Sequence, residues 1–217
     1  MAHTRSPSIR GTGSVARALR ALVAIAVLIA TVIVYLDGSQ SPTFRPLNFF
    51  SYFTIISNLL TAYLMGRQAI QPSWLEGNGS FRGAVTLYMT ITGLVYAFIL
   101  RPIGADVGNY RPWIDFIHHT AAPVAVIQDW LLFPPRRPLR SNVLYRWLIF
   151  PALYLVYSFV RGPRAEWYPY PFLDPRFPGG YGRVAIFSVI VFLIFLGGAV
   201  FVRWWAGHQP TGGLTSG

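Results

Sequence analysis

Apolar residues gather in six stretches, each about the 20 residues needed to cross the hydrocarbon core of a bilayer. They cover 18–36, 47–64, 83–100, 113–133, 143–160 and 184–205. The connections between them are short, except 161–183, whose RGPRAEWYPYPFLDPRFPGG carries too many prolines for regular structure. The pattern predicts an all-α, polytopic membrane protein built as a single bundle of six transmembrane helices over 18–205. A tail over 1–17 precedes the bundle, and a polar, disordered tail over 206–217 follows it. The run after Arg20 has no small-residue cleavage site, so it reads as an anchor and first span rather than a cleaved signal.

The polar positions inside these stretches are few and patterned. In the second, Asn48, Ser51, Thr54, Asn58 and Thr61 recur at three, three, four and three residues, the spacing of one helix face. The fourth carries Asp115, His118, His119 and Asp129; Asp115, His119, Ala122, Val126 and Asp129 share a face. The third offers Thr86, Thr90, Gly93 and Ala97 as a small-residue packing face, and the fifth offers Tyr154, Tyr157, Ser158 and Arg161. Counted along straight helices, Thr54 lies seven residues after Leu47 and His119 six after Trp113. Both are then expected about 10 Å below the same membrane boundary.

Composition agrees with a membrane protein. Of 217 residues, 53% are hydrophobic and 12% charged, against about 25% charged in soluble domains. The net charge of +11 comes from arginines in short loops, where they set topology, and no nucleic-acid partner is expected. With a cytoplasmic N-terminus, 11 arginines fall inside and 7 outside, the cluster Arg136, Arg137 and Arg140 among the former. This bias predicts both termini in the cytoplasm and a multi-pass protein of the cell membrane. Cysteine is absent, which excludes disulfides and thiolate chemistry. His118 and His119 project about 100° apart on a helix, and the other histidines, His3 and His208, are terminal, so neither a metal nor another cofactor is expected.

Ionisable groups in hydrocarbon are costly and mark sites. A threonine hydroxyl becomes a nucleophile when a base lies within hydrogen-bond reach, and an imidazole titrating near neutrality is such a base. Thr54, His119 and Asp115 therefore form the candidate catalytic set, with Asp115 orienting His119 across one turn. Asp115 has other candidate partners in His118, Arg111 and Arg161. Ser51, Asn58, His118, Tyr157 and Arg161 are candidate substrate contacts: Asn58 or a fifth-span tyrosine as oxyanion donor, Arg161 as a carboxylate or headgroup ligand. The bland alternative makes the hydroxyls and amides interhelical glue, and Arg161 a snorkelling anchor. Trp167, Tyr168 and Tyr170 suit the membrane interface.

FFSYFTIISN, DFIHHTAAPVAVIQDWLLF, YRWLIFPALYLVYSFVRG and YPYPFLD together resemble the bacterial Pr6Pr family of six-span membrane proteins. More distantly the pattern is similar to the eukaryotic androgen-induced and androgen-dependent membrane proteins, threonine hydrolases of fatty acid esters of hydroxy fatty acids. That resemblance places the family's threonine on Thr54 and its histidine on His119, and implies membrane lipids as partners and a hydrophobic ester as substrate. The alternative is a non-catalytic lipid-binding protein, or a proton-coupled carrier using the Asp115, His119 and Asp129 face.

Overall fold

The apolar run that opens the described chain forms α1 (Ser14–Ser39), which meets no proline and no glycine until Gly38. The structure, a computed structural model, describes residues 13–104, 111–135 and 137–208. The expected tails up to residue 12 and from Gln209 onward, and Arg136 of the basic cluster, lie outside the described residues. The other α-helices of the described residues are α2 (Pro46–Phe50), α3 (Phe53–Ile70), α4 (Trp74–Gly77), α5 (Gly79–Val95), α6 (Pro112–Phe116), α7 (Ala122–Leu132), α8 (Val143–Ala165) and α9 (Gly180–Gly207). No strand occurs among the described residues. Helix begins at Ser14 and persists to Gly207, a few residues beyond the bundle limits expected at each end.

Among the described residues, four helical runs are long and apolar enough to cross a membrane: Ser14–Ser39, Gly79–Ile103, Val143–Ala165 and Gly180–Gly207. Their outward faces carry large apolar side chains such as Leu22, Phe98, Leu153, Val189 and Phe192. Such a surface belongs in lipid rather than water, and the chain is a membrane protein. By contrast α3 buries its threonines, its asparagine and Gln68 among neighbouring helices. α5 is the hub, packing on α3, α7, α8 and α9, while α1 lies along α3.

The bundle satisfies the backbone groups that its prolines disrupt. Pro151 inside α8 has no N–H to give the carbonyl of Trp147; the hydroxyl of Tyr88 donates to that carbonyl instead, at 3.0 Å. Trp147 in turn donates its indole N–H to Ser80 O at 2.7 Å. Gly83 makes room for this ring, since a Cβ there would strike Trp147 and Trp130. Pro123 follows a π-helical turn, Ile117–Ala121, which widens the helix ahead of its ring. A second π turn, Tyr96–Leu100, precedes Pro102. π turns of this kind concentrate at functional sites.

Two expectations about straight helices are corrected. The second stretch is broken: α2 ends at Phe50, Tyr52 is extended at φ −73° and ψ 127°, and α3 starts at Phe53. Pro46 starts α2, and the break is closed by tyrosines from elsewhere: Tyr154 donates to Ser51 O at 2.8 Å, and Tyr157 meets Ser51 Oγ at 2.7 Å. Asn48 and Ser51 therefore do not continue the face of Thr54, Asn58 and Thr61, and Thr54 sits in the first turn of a helix rather than midway along one. The fourth stretch is likewise interrupted by its π turn, which holds His118 and His119.

Asp129 closes the opposite end. Arg20 reaches it at 2.6 Å and Arg82 at 3.2 Å, and Arg82 also donates to Phe133 O at 2.7 Å. The two guanidiniums lie over Phe133 and Trp130 respectively. This carboxylate joins α1, α5 and α7 as a buried clamp.

Candidate active site

The break before α3 sets the chemistry of Thr54. The first four N–H groups of a helix lack intrahelical acceptors, and the helix dipole leaves partial positive charge there. Thr54 is the second residue of α3. Its backbone N–H donates to the hydroxyl of Tyr170 at 3.2 Å, and its Oγ1 lies 3.3 Å from the same hydroxyl. An alkoxide forming on Oγ1 would stand at the positive end of an 18-residue helix.

Tyr170 arrives from the connector after α8. Glu166 ends that helix in the left-handed region at φ 48°, turning the chain back over the bundle. A short 3-10 turn, Pro171–Leu173, follows. Arg183 fastens it by donating to Pro171 O and Asp174 O at 2.8 and 2.9 Å. Arg176 grips Asp174 at 2.6 Å, and this hydrogen-bonded pairing holds the Asp174 carboxyl below its ordinary range. Tyr170 is consequently buried rather than at the interface, stacked on Phe172 at 5.2 Å and edge-on to Tyr52.

His119 lies on the π turn. Its Nδ1 is 2.8 Å from Oδ1 of Asp115, one turn earlier, and its ring stacks on Tyr96 at 4.0 Å with 6° between planes. Tyr96 also donates its hydroxyl to the second oxygen of Asp115. Of the partners open to Asp115, these are the ones found. Arg111 instead forms an exposed pair with Asp37, and the Arg161 guanidinium meets Asn48 and lies over Trp167. With Nδ1 donating to a carboxylate, the lone pair of the neutral imidazole is on Nε2. That is the tautomer a general base requires.

Asn58 joins the two elements. Its Nδ2 donates to Thr54 O at 2.9 Å and to His118 O at 3.3 Å. The helix of Thr54 is thereby pinned to the turn of His119. His118, fully buried, places Nε2 3.1 Å from Thr31 Oγ1 on α1. Of the expected substrate contacts, Ser51 and Tyr157 pair with each other and Arg161 with Asn48, so these three hold the broken segment of the second stretch.

An apolar cavity of about 310 Å³ opens between α3, α5, α8 and α9, beneath the connector. Its wall includes Phe53, Val95, Leu155, Val191 and Phe195, with Thr54, Thr92, Tyr154, Tyr170 and Ser188 as polar points. Its volume falls in the range of small-molecule sites. Neither His119 nor the other expected substrate contacts are among the described residues of its wall. Sequence reasoning missed Tyr170 and the cavity. The YPYPFLD motif marked the segment, yet nothing local showed that it folds inward. Among the described residues no three of His, Asp and Glu gather where a metal could be held. Comparisons of the chain with models of protein families, with curated proteins and with solved structures find no match.

Proposed function

We propose that the protein is a six-span hydrolase of the cell membrane, with both termini cytoplasmic, which cleaves fatty acyl esters by a threonine nucleophile. To the four long apolar helices the proposal adds α3, 18 residues and thus about 27 Å, and the helical run over 112–132. These two bury their polar groups, Thr54, Asn58, Thr61, His118 and His119, within the bundle. The arginine bias supports the orientation, the resemblance to the Pr6Pr proteins supports the six spans, and the more distant one to the androgen-dependent proteins supports the chemistry.

One observation carries the reading: the 2.8 Å contact between His119 Nδ1 and Asp115 orients an imidazole on the turn that Asn58 pins to the helix of Thr54, as a base would need. An acyl chain enters the cavity sideways from the outer leaflet, bringing its ester to the wall at Thr54. Oγ1 attacks the carbonyl carbon while its proton passes to His119 Nε2, directly or through one water. The C=O pair moves onto oxygen. Collapse expels the alkoxide, which takes the proton from His119 and leaves as the alcohol. Water, deprotonated by the same base, then releases the acid from the acyl-threonine. A fluorophosphonate probe applied to membranes tests this: labelling of wild type that disappears in Thr54→Ala and His119→Ala supports the hydrolase, and unlabelled wild type contradicts it.

A second reading, lipid binding without hydrolysis, is favoured by the cavity wall, which holds Thr54 with Tyr170 and not His119. It predicts retention of a bound acyl chain with no labelling.

A further inference from the structure

The connector places a tyrosine hydroxyl at the one side chain assigned as nucleophile. We propose that Tyr170 is a catalytic residue whose hydroxyl supplies the hydrogen bond that stabilises the oxyanion during acyl transfer at Thr54. This deepens the hydrolase reading and rests on it.

The hydrogen bonds around Tyr170 Oη leave its proton able to turn toward Thr54. A phenol has one proton to give and accepts through its oxygen. The N–H of Thr54, unable to bond within its own helix, donates to that oxygen at 3.2 Å. Thr54 Oγ1 is 3.3 Å away, and when its own proton goes to the base only Tyr170 can be the donor in this pair. The O–H is then turned to the reacting atom as Oγ1 gives up its proton. As the bond from Oγ1 to the acyl carbon forms and the C=O pair moves onto oxygen, that oxygen develops two bonds from Oγ1, on the same carbon, and the Tyr170 O–H transfers its hydrogen bond to it. The proton remains on Tyr170 throughout. The first-turn N–H groups of α3 add partial positive charge on the same side.

The surroundings are those of a preorganised donor rather than a casual contact. Tyr170 is 6% exposed, its ring is clamped between Phe172 and Tyr52, and it forms part of the cavity wall beside Thr54. The connector is in turn fastened by Arg183 and by the Arg176–Asp174 pair. With its ring held so, the hydroxyl need only swing its proton from Oγ1 to the new oxygen when charge develops. The fifth-span tyrosines expected for this role are committed elsewhere, Tyr154 to Ser51 O and Tyr157 to Ser51 Oγ.

The test measures the rate of fluorophosphonate labelling against probe concentration, read on the Thr54 peptide, in membranes holding the full chain. Attack on phosphorus expels fluoride and leaves a P=O oxygen where the ester oxyanion would be. Tyr170→Phe keeps the ring and its stacking. The expected result is a maximal labelling rate about 100-fold lower, with half-saturating probe concentration unchanged. Tyr88→Phe is the control: it also loses a buried tyrosine hydroxyl, the one satisfying Trp147 O, and is expected to label at the wild-type rate. Wild-type labelling of Tyr170→Phe overturns the inference and leaves the hydrolase standing; a wild type that never labels on Thr54 removes both. Should Tyr170→Phe fail to fold, 3,5-difluorotyrosine at position 170 preserves the site. Its more acidic phenol loses the donor proton as pH rises, so labelling should fall at a lower pH than in wild type. Superimposable pH profiles overturn the inference.

Discussion

Nδ1 of His119 lies 2.8 Å from Oδ1 of Asp115, and the imidazole stacks flat on Tyr96 at 4.0 Å. Asp115 thereby fixes both the tautomer and the plane of the ring. Asp115→Asn preserves the shape but presents an amide, which can donate to Nδ1 and so favours the wrong tautomer. Ester hydrolysis is expected to fall roughly 100- to 10,000-fold, with little change in the unfolding temperature. Turnover within a few fold of wild type would dismiss Asp115 as the orienting group.

The clamp at Asp129 is structural in this account. Asp129→Ala leaves Arg20 and Arg82 buried without their shared carboxylate. Removing one partner of a buried ion pair costs about 3–5 kcal/mol, so detergent-solubilised protein should unfold at markedly lower temperature. Folded molecules of this variant should still label at Thr54. A carrier moving protons along Asp115, His119 and Asp129 would instead lose transport even in the molecules that remain folded, and would not label at Thr54.

The cavity should accept the acyl chain from the side. Ala152, on the wall and exposed on α8, stands where an entering chain would pass. Ala152→Trp is expected to raise KM several-fold for long-chain esters and to spare short ones, since a bulky ring blocks access without touching Thr54. Equal effects on both chain lengths, measured in mixed micelles, would argue for another route.

The connector carries a pH dependence of defined sign. Arg176 holds the Asp174 carboxyl below its ordinary range. A depressed carboxylate contributes stability above its unfolded pKa, about 3.9, and loses it as pH falls through the folded value. Docking of the connector, followed by protease sensitivity between α8 and α9, should therefore weaken only in acid below about pH 4. Asp174→Asn should loosen it at neutral pH and flatten that acid response; an unchanged acid response would assign it to another group.

Much of this was legible in the sequence, and the rest was lost for identifiable reasons. Long apolar runs with lipid-facing surfaces announced α1, α5, α8 and α9, because a helix in lipid must be apolar on its outside. The Asp115–His119 contact followed from four-residue spacing, which survives the π turn. The single face expected for Asn48 to Thr61 did not survive, because helical periodicity assumes an unbroken helix. The break at Ser51 and Tyr52 is maintained by Tyr154 and Tyr157, about a hundred residues away in the chain, as the 103- and 106-residue separations of their bonds to Ser51 record. Tyr170 was hidden for the same reason. Its partner Thr54 is 116 residues distant, and no local pattern in a proline-rich connector reports that it folds inward.

The central claim is that Thr54 is a nucleophile activated by His119. Mass spectrometry of fluorophosphonate-treated membranes tests it most directly, by locating the phosphonyl group on the chain. The account predicts one adduct, on the peptide containing Thr54, formed by wild type and absent from His119→Ala. An adduct on another residue, or one on Thr54 that forms as fast in His119→Ala, would contradict it.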